Sequence, residues 1–294
     1  MAAAAGAATA PAALHYRLAR PPATITAQEI VDRIRQRIGG EWKPDTVDTF
    51  KAGEPASVVK GIVTTAMATM PVLRQAVKAG ANFVITGEPA FYSKGDAAAP
   101  AAGRRGGPPA APDSIFSAKN EFIKSNGLVI WRFSDHWRQH KPDPLAMGLT
   151  DVFGWAKFRE ADDVAQVTIP VITLDALASD LKKRLNARGG IRVVGDPKLK
   201  VQKIGLLPGT TPIQAALQLL PGVDAVIAGE VREWESVEYA HDKVAAGEKK
   251  SLILLGRVVS EDPGMNACAQ WLKPIVPEVT TTWIPVGDPY WRPA

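Results

Sequence analysis

Acidic and basic side chains gather at four points where an apolar run of the sequence stops. Glu88 sits between Gly87 and Pro89, directly after residues 82–86. Asp135 and His136 follow residues 128–133, with Arg138 and His140 close behind. Glu230, Glu233 and Glu235 flank Trp234 after a run ending at Ile227. Arg257 and Glu261 follow residues 252–255. Carboxylates together with an imidazole suit a divalent cation held by oxygen and nitrogen donors. The plainer alternative is that each group merely ends a surface loop, with Glu233 and Glu235 on a solvated helical turn, because structural ion pairs imitate sites. Glu88, Asp135 and Glu261 weigh more as a set than singly, since all three occupy equivalent positions after related strands.

Other chemistry is less well marked. Residues 205–211 form a Gly-Thr-rich turn between a strand and a helix, a place where backbone N–H groups can meet an anion. The turn lacks the lysine of a phosphate loop, and Pro212 at the helix start explains it structurally. The single cysteine, Cys268, excludes an intrachain disulfide and a cysteine-based zinc site, and reads as a small buried residue. No Ser-His-Asp arrangement has a motif context. The eight tryptophans are spread along the chain, as core and interface anchors are, rather than clustered as a ligand cage.

The elements that must position these groups are legible from periodicity. Thr26 can cap a helix with Ile30, Ile34 and Ile38 on one face, closed by Gly39-Gly40. Strands are expected over 58–65, 82–86 and 128–133, separated by helices over 71–79 and 114–125. The second half repeats the scheme: Thr173 caps a helix with Leu177, Leu181 and Leu185 on one face. Strands follow at 191–194, 201–207, 225–227 and 252–255, with helices at 212–219 and 234–246. A last helix is expected from near Met265.

Residues 59–88 and 203–230 run in parallel. Each reads strand, threonine-containing turn, helix, a Gly-Ala-Asn or Gly-Val-Asp step, strand, then Gly-Glu. Two related β-α-β-α-β lobes are expected, in the α/β class, with mainly parallel sheets and right-handed crossovers. The polar residues above then cluster at the carboxyl edges of the sheets, where sites in such folds form. The expected division is a tail over 1–23, a first lobe over 24–162 with a mobile loop at 95–112, and a second lobe over 163–294. The loop is rich in Ala, Gly and Pro.

Composition bounds the partners. Of 294 residues, 46% are hydrophobic and 22% charged, which supports a sizeable core and argues against disorder. The net charge is +5, but Lys and Arg are scattered and no basic run resembles a nucleic-acid arm. No stretch approaches the roughly 20 apolar residues of a membrane helix. The alanine-rich start lacks a basic region and a long apolar core. It reads either as a disordered tail or as the remnant of a removed signal peptide, leaving the compartment open between cytoplasm and export.

The patches at the strand ends carry a resemblance. Thr86-Gly87-Glu88-Pro89 followed by Phe91-Tyr92 is similar to a Thr-His-Glu-Pro strand end. Phe133-Ser134-Asp135-His136-Trp137-Arg138 is similar to Phe-His-Asp-His-Trp-His. Gly256-Arg257-Val258-Val259-Ser260-Glu261, then Pro263-Gly264-Met265, is similar to Gly-His-Val-Val-Ser-Glu. Residues 48–53 and Gly229-Glu230 also fit. All belong to the pattern of the NIF-three-like family, also known as GTP cyclohydrolase I type 2 homologues or dinuclear metal centre proteins. The resemblance spans about residues 25–291.

The resemblance implies two facing α/β lobes, a ring-like homohexamer, and two divalent ions such as Zn, Mn or Fe on His and acidic residues. Here the histidine positions are Gly87, Ser134, Arg138 and Arg257, while Glu88, Asp135, His136 and Glu261 remain as candidate metal ligands. Arginine stays protonated and cannot ligate a cation. Arg138 and Arg257 are therefore expected to pair with Glu88 and Glu261, leaving no tightly bound metal and a cleft that accepts an anion or nucleotide. Two functions stay open. One is a metal-poor binding or assembly protein. The other is a metal-dependent hydrolase-like enzyme acting on a nucleotide or phosphate-like substrate.

Overall fold

The computed structural model describes residues 24–93, 95, 96, 114–291 and 293. The expected tail over 1–23 and most of the expected loop over 95–112 lie outside them. Thr26 starts α1 (Ala27–Arg37): its side chain accepts the Glu29 N–H while Glu29 reaches back to the Thr26 N–H. The four-residue spacing buries Ile30, Val31 and Ile34 against the first sheet.

That sheet is built from β1 (Phe50–Ala52), β2 (Ile62–Thr65), β3 (Phe83–Thr86) and β4 (Val129–Arg132). Helices α2 (Met70–Lys78) and α3 (Ser114–Ser125) connect its parallel strands. Every residue of β2, β3 and β4 is buried, which is why these runs are apolar without alternation. β1 pairs antiparallel with β4. Two short helices follow, α4 (Asp135–Gln139) and α5 (Pro144–Val152).

The second sheet contains β5 (Gln166–Thr173), β6 (Arg192–Val194), β7 (Lys200–Thr210), β8 (Ala225–Glu230) and β9 (Ser251–Leu254). Its helices are α6 (Leu174–Arg184), α7 (Ile213–Leu219) and α8 (Glu238–Ala245). The order is β5-β7-β8-β9-β6, with β7, β8 and β9 parallel and antiparallel strands at both edges. Each lobe thus holds the expected β-α-β-α-β unit: β2-α2-β3-α3-β4 in the first and β7-α7-β8-α8-β9 in the second. The segment expected as one helix over 234–246 begins instead as a π-helical stretch, Glu233–Val237, that leads into α8.

Two differences from the sequence reading bear on the site. First, the chain does not divide once. After the second sheet comes α9 (Arg257–Leu272), and then β10 (Thr281–Trp283), which pairs in parallel with β2. The first sheet is therefore ordered β1-β4-β3-β2-β10. Met265, Cys268, Leu272 and Val276 belong to the first core, although 163–294 reads as second lobe from the sequence alone.

Second, α9 starts at Arg257 and not near Met265, with Pro263 inside it. Proline and glycine at 263–264 read as a helix breaker, because proline removes a backbone donor and crowds the preceding turn. Packing against α5 overrides that local preference. A Cβ on Gly148 would lie 2.4 Å from the Pro263 carbonyl carbon, and one on Gly264 would lie 2.3 Å from Leu145 Cδ2. The two helices touch backbone to backbone. Their pair joins the lobes: Leu145 packs in the first core, Ala146 and Leu149 in the second.

Candidate functional site

Glu88 leaves the end of β3 through a tight backbone turn. Its N–H donates to the Ala66 carbonyl at 2.8 Å, and Thr86 Oγ1 donates to the Glu88 carbonyl at 3.0 Å. The loop beyond is pinned by Asp96, whose carboxylate accepts the Phe91 N–H at 3.0 Å and pairs with Lys51 and Arg132 at 3.5 and 3.2 Å. Glu88 is thereby aimed inward and is only 1% exposed. Glu261 projects from the second turn of α9 and is 2% exposed.

Two guanidiniums join these carboxylates. Arg138, from α4, donates Nη2 to Glu88 Oε1 at 2.7 Å and to Glu261 Oε1 at 2.5 Å. Arg257, the first residue of α9, donates Nη2 to Glu88 Oε2 at 2.5 Å, and its Nε lies 3.8 Å from Glu261 Oε1. Arg257 Nε is buried and, among the described residues, has no hydrogen-bond partner. Each oxygen of Glu88 is thus taken by a different guanidinium. The centre has two positive and two negative groups.

The second lobe closes the centre with glycine. Gly209, near the end of β7, has φ +78°, and a Cβ there would sit 2.5 Å from Glu261 Oε1 and 2.7 Å from Arg138 Nη1. Ser260 fastens this turn: its Oγ accepts the Gly209 N–H at 2.9 Å and donates to the Arg257 carbonyl at 2.6 Å.

Burial dominates the electrostatics of Glu261. It pushes the carboxyl up to about 7, with Arg138 opposing and Glu88 reinforcing the shift. Burial works against the charge of Arg138, but Glu261 and Glu88 together outweigh it and raise its affinity for the proton.

Asp135 and His136 are not part of this cluster. They turn toward the loop after α1. Asp135 Oδ2 accepts from Thr46 Oγ1 at 2.9 Å and from the Val47 N–H at 3.1 Å. His136 donates Nδ1–H to Asp48 at 2.7 Å and accepts the Lys43 N–H on Nε2 at 3.1 Å, so both ring nitrogens are occupied. Its ring stacks on Trp42 with centroids 3.7 Å apart. Of the four candidate ligands and two arginines named from the sequence, the structure joins Glu88, Arg138, Arg257 and Glu261, and gives Asp135 and His136 a supporting task.

The remaining candidates are peripheral. Glu230 is exposed, Glu233 pairs with Arg192, and Glu235 pairs with Arg232. His140 Nδ1 meets the Ile38 carbonyl, and its ring packs on Trp137 and Trp271. Cys268 is buried, and burial pushes its thiol well above the usual range. The reading of single residues missed Asp48 and Ser260, whereas Gly209 lies in the turn over 205–211 that the sequence marks as a possible anion contact. Asp48 had a signal, since it opens a matched motif, but nothing in its neighbours marks it as the acceptor for α4.

The donors present do not fit a pair of divalent ions. Glu88 is saturated by two guanidiniums, and a guanidinium has no lone pair to offer a metal. Among the described residues no group of three or more His, Cys, Asp or Glu is arranged to hold a metal ion. Nor is any of their helices long and apolar enough to cross a membrane.

Fold and centre together define a class: two β-α-β-α-β lobes whose facing strand ends converge on paired carboxylates. No protein-family model and no curated protein matches this sequence. Solved structures do match over nearly the whole chain. A Bacillus cereus protein related to NIF3 superposes with a TM-score of 0.70 at 13% identity, covering 92% of this chain and 99% of that one. The Staphylococcus aureus hypothetical protein SA1388 gives 0.67 at 14% identity, covering 91% and 99%. Protein ybgI gives 0.64 at 20% identity, covering 90% and 100%. The chain has the NIF3-like fold.

Proposed function

We propose that this protein is a NIF-three-like protein in which the metal positions have become an ion-pair centre, and that it acts as a metal-poor binding or assembly protein with an anion-accepting cleft. The observation that carries this reading is Arg138, whose guanidinium lies between Glu88 and Glu261 within hydrogen-bond distance of both. A fixed cation there repels a divalent ion and favours a planar oxyanion. The side chains of Arg138 and Arg257 are 31% and 38% exposed, so each keeps part of its donor edge toward solvent. Protonation of Glu261 near neutral pH would release Arg138 from one carboxylate and leave the centre with net positive charge. The glycine turn at 209 lies alongside and leaves room for the guanidinium, its own N–H being taken by Ser260.

Calorimetry with phosphate, sulfate and a nucleotide, against Mg and Zn, tests this reading. The anion is expected to bind more tightly than either metal, and Arg257→Ala to weaken it at least about tenfold, roughly 1.4 kcal/mol. Absence of anion binding to either protein at millimolar concentration would reject the cleft and leave the ion pairs purely structural. A complementary variant restores histidine at 87, 134, 138 and 257. At Gly87 a Cβ would meet Met265 Sδ first, at 3.2 Å, so that flexible side chain must give way by a few tenths of an ångström. This variant is expected to gain metal by elemental analysis.

The alternative is a metal-dependent hydrolase-like enzyme for a nucleotide or phosphate-like substrate. It draws on Glu88 and Glu261, two buried carboxylates still converging on one point. About two equivalents of Zn, Mn or Fe in protein purified without chelator would favour it. For assembly, we propose a homo-oligomer, with the hexamer implied by the resemblance. Trp234, exposed at 73%, together with exposed Tyr290 and Trp291, supports apolar contact surfaces. Light scattering that returns a monomer at micromolar concentration rejects it.

A further inference from the structure

On the other side of α9 from the ion-pair centre lies a cavity of about 230 Å³. At 100° per residue, Val259, Asp262 and Pro263 point away from the face that carries Arg257 and Glu261. Val259, Trp283 and Pro285 give the cavity apolar walls; Asp262 and Asp288 bring two carboxylates to it, and Arg184 lines it as well.

The two carboxylates are rigidly held. Asp262 is 7% exposed and accepts the Val286 N–H at 3.0 Å and the Gly287 N–H at 3.2 Å. Asp288 accepts the Gly189 N–H at 2.7 Å and the Tyr290 N–H at 2.9 Å. Backbone donors orient them but carry no full charge. Among the described residues neither has a cationic side chain at ion-pair distance, whereas Arg184 already donates to Asp180 at 2.7 Å. The lining is therefore net negative inside apolar walls. A charge approached from a poorly hydrated surface gains most from a counter-ion.

We propose that this slot binds a primary ammonium on a short apolar chain, a small alkylamine, with the ammonium between Asp262 and Asp288 and the chain against Trp283 and Pro285. A bare metal ion suits the slot less, since the apolar walls offer it no oxygen donors. An alkylammonium matches both halves of the lining, and an aromatic wall tolerates its cationic head. The site stands apart from the anion cleft and does not depend on it.

Calorimetry on the full chain compares butylamine with 1-butanol, butyrate and Mg. Butylamine is expected to bind at least about tenfold more tightly than 1-butanol, with no measurable binding of butyrate. Asp288→Asn should weaken the amine at least about fivefold. Val152→Phe fills the slot without touching a charge and should abolish binding, so the proposal stays testable even if Asp288→Asn folds poorly. N-acetyl-lysine methylamide shows the source: a gain over butylamine points to a lysine side chain on a peptide, a loss to a free amine, and either order supports an ammonium site. Equal binding of amine and alcohol, preference for Mg, or undiminished binding by Val152→Phe overturns the proposal.

Discussion

Asp48 Oδ2 accepts both the backbone N–H of His136, at 2.9 Å, and its ring Nδ1–H, at 2.7 Å. Asp48 Oδ1 accepts the N–H groups of Ser134 and Asp135 at 2.6 and 3.0 Å. One buried carboxylate therefore fixes the start of α4 and, through it, the direction of Arg138. The same bonds hold the imidazole in its Nδ1–H tautomer, with Trp42 lying against its face. What reads from sequence as a candidate ligand is the brace of a neighbouring guanidinium.

Asp48→Ala leaves three backbone donors and one ring donor without their acceptor. The expected loss of stability is about 3 kcal/mol, because buried unmet donors each cost on the order of 1 kcal/mol or more. Urea denaturation measures it, and nitrogen NMR of His136 should show the tautomer preference relaxing. A loss below about 1 kcal/mol would mean that α4 is oriented by packing alone.

Glu261 predicts a pH dependence with a definite sign. Burial raises its carboxyl from the usual 4.5 to about 7. Between those values the native state keeps a proton that the unfolded chain releases, so stability falls as pH rises through that window. Asp262, raised by burial from 3.8 to about 6, acts in the same sense over its own range. In Glu261→Gln the decline from pH 5 to pH 7 should shrink by on the order of 1 to 3 kcal/mol. Identical declines in both proteins would show that Glu261 is ionised throughout.

Arg138→Met removes the group shared by two buried carboxylates. Uncompensated buried charge usually costs about 3 to 5 kcal/mol, and partial solvent access to Arg138 brings the expectation to about 2 to 3. Arg138→Lys should recover only part of it, since an ammonium lacks the fork that lets one side chain serve two partners. Full recovery by lysine in thermal unfolding would reduce the role of Arg138 to its charge.

Gly148→Ala sets two effects against each other. Alanine favours a helix over glycine by about 1 kcal/mol. Its Cβ would also press on the Pro263 carbonyl carbon at 2.4 Å, a backbone atom with little room to yield. Overpacking of that kind costs about 1 to 3 kcal/mol, so net destabilisation is expected. A rise in melting temperature would show that α5 and α9 can separate without loss.

The repeated strands and their helices were legible because burial on both faces leaves continuous apolar runs, and Thr26 and Thr173 cap as their types suggest. The strand ends were legible for the same reason, but not which of them would meet: Glu88 follows β3 and Glu261 follows β9, which are not equivalent strands, while Glu230, the residue ending β8 that matches Glu88, is exposed. Less legible was anything decided across the lobes. The start of α9 is hidden by Pro263 and Gly264, whose local preference is the reverse of what contact with α5 imposes. Three-residue strands such as β1 and β10 have no periodicity of their own. Asp135 and His136 carry the right side chains for a ligand, and only the loop carrying Asp48, far away in sequence, shows that they are already engaged.

The return of β10 to the first sheet has a consequence for biogenesis. Residues 166–254 contain every strand of the second sheet, so that lobe can close as soon as they leave the ribosome. The first sheet has β2 as a bare edge until residues 281–283 arrive, and its core lacks Met265, Cys268 and Leu272 until α9 is made. The lobe synthesised first is thus completed last. A chain truncated at residue 256 and released from the ribosome should hold a protease-resistant second lobe beside a first lobe that is still open to cleavage and to chaperones.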